Sequence, residues 1–207
     1  MNDRQPPFHI TNQMLLLTAS ISEKLGTISL FSDLSSKPHL QNSSRIQNIQ
    51  ASLLMEGVYL PPGEADRIIG GQPPSYPNQY QKEIISTYDA YRTLTQIDPF
   101  SLSALKRLHD QITPAFTGRP SWLRQNEIDV MQGDHFYFRA PPALLVSGLL
   151  IELFDWMKIN QNDIHPLILS SVFHCEFFQI QPFMKGNGRT ARLWQTVMLS
   201  HWRPVFS

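Results

Sequence analysis

The sequence has one cysteine in 207 residues, Cys175, so no internal disulfide can staple it and stability must come from a packed core. A lone thiol in an apolar helical run is expected to be buried, and this cysteine usage fits a reducing, cytoplasmic compartment. An excess of charge is also missing. Seventeen Lys and Arg balance seventeen Asp and Glu, which removes the bulk electrostatic case for nucleic acid or an anionic membrane. No apolar run reaches membrane-spanning length. The short run Met14 to Leu17 is too brief, and too far from any positive cluster, for a signal peptide. Internal repeats, zinc-ligand spacings, a Ser-His-Asp order and a P-loop are absent as well. What the chain has in quantity is apolar surface. Its 42% hydrophobic and 11% aromatic content is that of a folded globular domain.

Periodicity predicts a succession of helices. Met1 to His9 is a polar, proline-bearing lead expected to be loosely held. Thr11 can cap a helix carrying Met14, Leu17, Ile21 and Leu25 on one stripe, with Gly26 as its break. Ser32 to Pro38 reads as a loop. A second helix spans about Leu40 to Glu56, with Ile46, Ile49, Leu53 and Leu54 inward and Gly57 placed to end it. The prolines and glycines between Leu60 and Asn78 predict a long loop with turns. Helical spacing returns from Tyr80 to Ile97, and Ser101 can cap a helix with Leu102, Leu105, Leu108 and Ile112 inward. His109 is assigned packing or local capping there and no chemistry. Phe116 to Asn126 is irregular, and Gly133 to Pro142 is the one strand expected. Helices then cover Ala143 to Lys158 and Pro166 to Ile180. A last one carries Leu193, Trp194, Val197, Met198 and Trp202 until Pro204 stops it. The fold class is mainly α.

Between the last two helices lies Gln181 to Arg192, QPFMKGNGRTAR. Gly186 and Gly188 can take backbone angles denied to larger residues, and a glycine-flanked turn feeding a helix aims several N–H groups at one point. The helix dipole favours an anion there. Arg189 and Arg192, three apart, add two forked donors on one face. This is the physics of a phosphate cradle, although Gly-Asn-Gly also suits a plain helical connection. Glu56 closes the second helix, where the dipole disfavours negative charge. Spacing alone allows a solvated residue; a cation meeting the carboxylate explains it better.

The wider string HCEFFQIQPFMKGNGRTARLW resembles the signature of the Fic family, whose members mostly move AMP from ATP onto a protein hydroxyl. Pro182, Phe183, Gly186, Asn187, Gly188, Arg189 and Arg192 fit its pattern of His-Pro-Phe, one residue, Asp or Glu, Gly-Asn-Gly-Arg, two spacers and Arg. The resemblance implies a Fic-type helical bundle with a small β-hairpin flap. It implies nucleotide contact through Gly186, Asn187, Gly188, Arg189 and Arg192. Ser52 to Gly57, SLLMEG, is similar to the family's inhibitory motif of Ser or Thr, three spacers, Glu, then Gly or Asn. Glu56 would then pair with Arg192 and block the nucleotide's terminal phosphate, with Ser52 and Gly57 completing the motif. His135, Phe136, Tyr137 and Phe138 fall where the flap would add a target segment as a strand. The organisation implied is N-terminal helices over 1–60, with the inhibitory helix at about 40–57, and a Fic core over 61–207. Relatives often continue with further helices, expected here to be absent or removed.

Two positions depart from the family pattern, and they are the chemical ones. Gln181 stands where the family has its catalytic His, and Lys185 where it has its metal-binding acid. An amide cannot accept a hydroxyl proton near neutral pH, and loss of a general base lowers rates by about 10²–10⁴-fold. The Gln181 side chain is expected to face water or to orient a hydroxyl by hydrogen bonding. An ammonium at 185 repels Mg²⁺, which needs oxygen ligands, so no metal ligand is assigned. Lys185 is then either an exposed loop lysine or a point charge on the phosphates. His174, two helical turns before Gln181 and about 10 Å away, is expected to pack behind the motif, and His135 is a remote substitute base. The function implied is that of a protein adenylyltransferase relative, weak or inactive. It would bind ATP or another adenine nucleotide and a target protein segment, without nucleic acid or membrane. A non-catalytic nucleotide-binding module, and a transfer or removal reaction with a different nucleotide or phosphate donor, are the alternatives.

Overall fold

Helices whose apolar residues recur every three to four positions must bury them against one another, and this chain does so around its last long helix. The computed structural model describes residues 5–31, 38–75, 80–114, 123–132 and 134–206. Among them the α-helices are α1 Asn12–Phe31, α2 Pro38–Leu54, α3 Glu64–Ile69, α4 Gln81–Tyr91, α5 Leu102–Ile112, α6 Val146–Asn160, α7 Pro166–Ile180 and α8 Asn187–Trp202. One antiparallel hairpin, β1 Asp129–Gln132 and β2 His135–Arg139, completes the fold. It pairs Asp129 with Arg139 and Gln132 with His135, with an irregularity between Val130 and Met131.

α8 runs through the middle of the bundle, with Ala191, Leu193, Trp194 and Val197 buried. α7 lies along it, and α2 and α5 close its other sides. Phe154, Phe173, Phe177 and Trp194 meet edge to face or tilted in the core, the arrangements aromatic rings favour. The short connection between α7 and α8 is therefore mounted on two helices whose inner faces are buried in the core.

The expected caps form. Thr11 Oγ1 accepts from Met14 N at 3.2 Å, and Ser101 Oγ accepts from Ala104 N at 3.2 Å. Gly57, at φ 77°, ends the α2 turn, with Val58 N returning to Leu53 O.

Other expectations are corrected. α1 passes straight through Gly26, because one glycine costs a helix only about 1 kcal/mol. The α1 stripe is mostly uncovered, with Leu25 buried but Leu17 and Ile21 exposed. Leu54 is also exposed, because α2 ends there and its side chain falls beyond the seam. Inside the supposed loop 60–78, α3 forms and buries Ile68, and its Glu64 carboxylate accepts from Ser75 N and Oγ. Cys175 is exposed, since α7 is apolar on faces that turn outward as well as inward. The N-terminal lead is anchored where Phe8 meets Trp156 edge-on at 5.9 Å. A partner strand for β2, formed by residues 129–132, also appears. The expected loop at 32–37 and irregular residues 116–122 lie outside the described residues.

No helix among the described residues is long and apolar enough to cross a membrane.

Candidate functional site

The turn between α7 and α8 is built by residues that each satisfy a neighbour. α7 ends with Gln181 in the left-handed region, φ 48° and ψ 61°. Gly186 enters α8 at φ 75°. Asn187 folds back over the turn, accepting from Phe183 N at 2.9 Å and donating to Phe183 O at 2.7 Å. Its amide thus holds the loop's shape, and only its backbone is left to face a ligand. Beneath, Phe183 stacks on His109 at 3.6 Å between ring centroids, and His109 Nδ1 shares a 2.9 Å hydrogen bond with Thr190 Oγ1. His109 is a buried packing residue, as expected. No carboxylate lies in the first turn of α8 and no side chain caps it, which leaves the positive end of its dipole for an anion.

The two glycines differ in what surrounds them. A Cβ on Gly186 would lie 2.6 Å from Thr113 Cγ2, whereas one on Gly188 would meet only the end of the Arg192 side chain at 3.0 Å. Gly186→Ala therefore combines a clash with a left-handed backbone and should cost about 1–3 kcal/mol. Gly188→Ala should stay within about 1 kcal/mol, since Arg192 can shift. Urea unfolding of the two variants checks the contrast; equal losses would contradict the tight seat assigned to Gly186.

Glu56 crosses the turn from the end of α2. Its Oε2 accepts from Arg189 Nε at 2.8 Å and Nη2 at 2.6 Å, and its Oε1 accepts from Arg192 Nη2 at 2.9 Å. Arg192 also donates to Ser52 Oγ at 2.9 Å and to Ser52 O at 3.1 Å. The expected Glu56–Arg192 pair is thus present, enlarged into a carboxylate bridging both motif arginines. Burial pulls the Arg192 guanidinium below its ordinary pKa, and Glu56 pulls the other way.

Two residues of this site carried no signal in the sequence. Glu83 on α4, 2% exposed, accepts from Arg189 Nη1, so Arg189 is gripped by two carboxylates and Arg192 by one. Arg124, buried in the segment before the hairpin, donates to Gln181 O at 2.8 Å, Ile180 O at 3.3 Å, Asn126 O at 3.0 Å and Pro141 O, and its own N–H donates to Pro182 O at 2.9 Å. Its guanidinium therefore caps the C-terminus of α7 and ties the base of the hairpin to the motif turn.

The Gln181 side chain faces the protein, not water: it is buried, with Nε2 donating to Phe178 O at 2.8 Å. Lys185 is exposed beside Gly186. His174 packs behind the motif, its Nδ1 3.0 Å from Gln195 Oε1, and burial lowers its pKa below the usual histidine value. On β2, His135, Phe136 and Tyr137 are exposed and Phe138 is half-covered against Phe178. The donor set does not suit a divalent metal. Glu56 and Glu83 are engaged by arginines, Lys185 is a cation, and among the described residues no group of three His, Cys, Asp or Glu side chains converges.

Comparison with known proteins gives the same assignment from a different direction. Residues 99–199 match the Fic/DOC family. A protein adenylyltransferase Fic of Drosophila grimshawi is 36% identical over 62 residues, covering 29% of this chain and 13% of its own. The crystal structure of a Fic family protein from Desulfovibrio desulfuricans superposes with a TM-score of 0.91 at 30% identity, over 98% of this chain and 62% of that one. A Fic domain containing signaling protein from Bacteroides thetaiotaomicron shares the fold, with a TM-score of 0.78 at 16% identity over 90% of this chain and 73% of its own. The chain thus spans a small part of the Drosophila relative and under two thirds of the Desulfovibrio one.

Proposed function

This chain belongs to the Fic/DOC family, and on that premise we propose that it binds an adenine nucleotide, is held closed by Glu56, and is weak or inactive in AMP transfer. The seat of Glu56 across Arg189 and Arg192 carries the reading. A terminal phosphate would need the same guanidinium donors, so carboxylate and phosphate compete for one place. Residues 1–60 then act as the regulatory part, with Ser52, Glu56 and Gly57 in the inhibitory turn, and 61–207 as the core that carries Gly186, Asn187, Gly188 and the arginines. The adenylyltransferase names among the relatives support AMP transfer as the ancestral reaction. In that reaction a target hydroxyl loses its proton as its oxygen attacks the α-phosphorus and pyrophosphate leaves. Gln181 cannot take the proton, and its amide is turned back onto α7.

Lys185 supports nucleotide binding without Mg²⁺, its ammonium serving as a point charge on the phosphates. The outer edge of β2, with Phe136 and Tyr137 exposed, suits a target segment added as a strand. The retreat of Gln181 also favours the second reading, a non-catalytic nucleotide-responsive module. Thermal unfolding of the parent and Glu56→Gly proteins with millimolar ATP, in EDTA and in Mg²⁺, tests the proposal. The midpoint should rise with ATP in the variant, equally in both media. No protection of either protein would overturn nucleotide binding, and protection only with Mg²⁺ would overturn the role of Lys185.

A further inference from the structure

Behind the carboxylate clamp, α2, α4 and α8 leave a cavity of about 210 Å³. Leu193 forms part of its apolar lining, and Asn48, Ser52, Tyr91, Arg189, Arg192 and Thr196 supply its polar side. Gly186, Asn187 and Gly188 do not line it, so it lies behind the phosphate cradle and shares Arg189 and Arg192 with it. Nucleotide-sized ligands occupy pockets of about 300–1,000 Å³; this one suits a fragment.

Its chemistry selects the occupant. The Tyr91 hydroxyl bonds to Asn48 and Thr196 and lies in the fields of Arg192 and Arg45. The carboxylate that serves Arg192, Glu56, is shared with Arg189. An apolar pocket with cationic and hydroxyl donors on one side fits a small apolar carboxylate of benzoate size.

We propose that this cavity is an effector site for such a carboxylate, and that its occupant holds α2 on the bundle. α2 supplies Asn48 and Ser52 to the wall, and the turn that ends it supplies Met55. When α2 lifts, that wall leaves with it, so the ligand has no site in the open form and stabilises the docked form by mass action. The regulatory consequence rests on the reading of Glu56 as a gate; the site itself does not.

The test titrates sodium benzoate into the whole protein without nucleotide. Binding is followed by ligand-observed NMR and the docking of α2 by amide hydrogen exchange. Binding should saturate, and at ten times its Kd benzoate should slow exchange across α2 about ten-fold. Uncharged benzamide should bind more weakly. Thr87→Met, which narrows the cavity from α4, should weaken benzoate binding. Absence of saturable binding, unchanged α2 exchange at saturation, or undiminished binding in Thr87→Met would each overturn the proposal. Because ATP takes no part, a failure here is distinct from a failure of nucleotide binding.

Discussion

Placing Gln181→His in a protein that also carries Glu56→Gly and Lys185→Glu should raise AMP transfer from ATP by about 10²–10⁴-fold over the same protein with Gln181 kept. The argument starts from the backbone. Position 181 has φ 48° and ψ 61°, and histidine is among the residues enriched in that left-handed region, so the exchange is tolerated locally. The imidazole has a basic nitrogen near neutral pH, which the amide lacks. Glu56→Gly releases both arginines from the carboxylate that bridges them. Lys185→Glu supplies the acid that the family carries at that place. Incorporation of label from α-labelled ATP into protein is the readout. Equal labelling with Gln and His at 181 would mean that the missing proton acceptor does not limit the reaction.

Glu83→Ala should destabilise the fold by about 3–5 kcal/mol, the cost of breaking a buried ion pair from one side. Arg189 is 6% exposed and Glu83 2%, so water cannot replace the lost carboxylate. Glu56 remains as a second partner, which sets the single variant at the low end of that range. Combining Glu83→Ala with Glu56→Gly leaves Arg189 without either carboxylate, and the joint loss should exceed the sum of the two. Urea unfolding of the four proteins in that cycle measures the excess. A loss under about 1 kcal/mol for Glu83→Ala, with strict additivity, would contradict the role of Glu83 as the fixed counter-ion.

The parts that were legible in the sequence are those where local chemistry and tertiary need coincide. Ser101 both caps α5 and precedes its apolar stripe, and the Gly-flanked turn after Ile180 can be little other than a connection between two buried helices. Glu56 was legible because its place at a helix end is electrostatically poor without a cation. Glu83 was not, because an acid in the first turn of a helix is favourable by itself and needs no partner; only folding brings Arg189 to it. Arg124 was hidden in a segment with no period, and its partners are backbone carbonyls, which leave no mark on side-chain pattern. Cys175 was misjudged because α7 is apolar nearly all round, so periodicity could not say which face turns outward. α3 has six residues, too few for a helical period to emerge among the prolines and glycines around it.

The central claim is that Glu56 occupies the donors a polyphosphate would take. Calorimetric titration of ATP into the parent and Glu56→Gly proteins tests it most directly. Charge-assisted hydrogen bonds contribute about 1.5–3 kcal/mol each, so removing the competitor should tighten ATP binding by about ten-fold or more, with or without Mg²⁺. An unchanged dissociation constant, or binding lost altogether in Glu56→Gly, would contradict it.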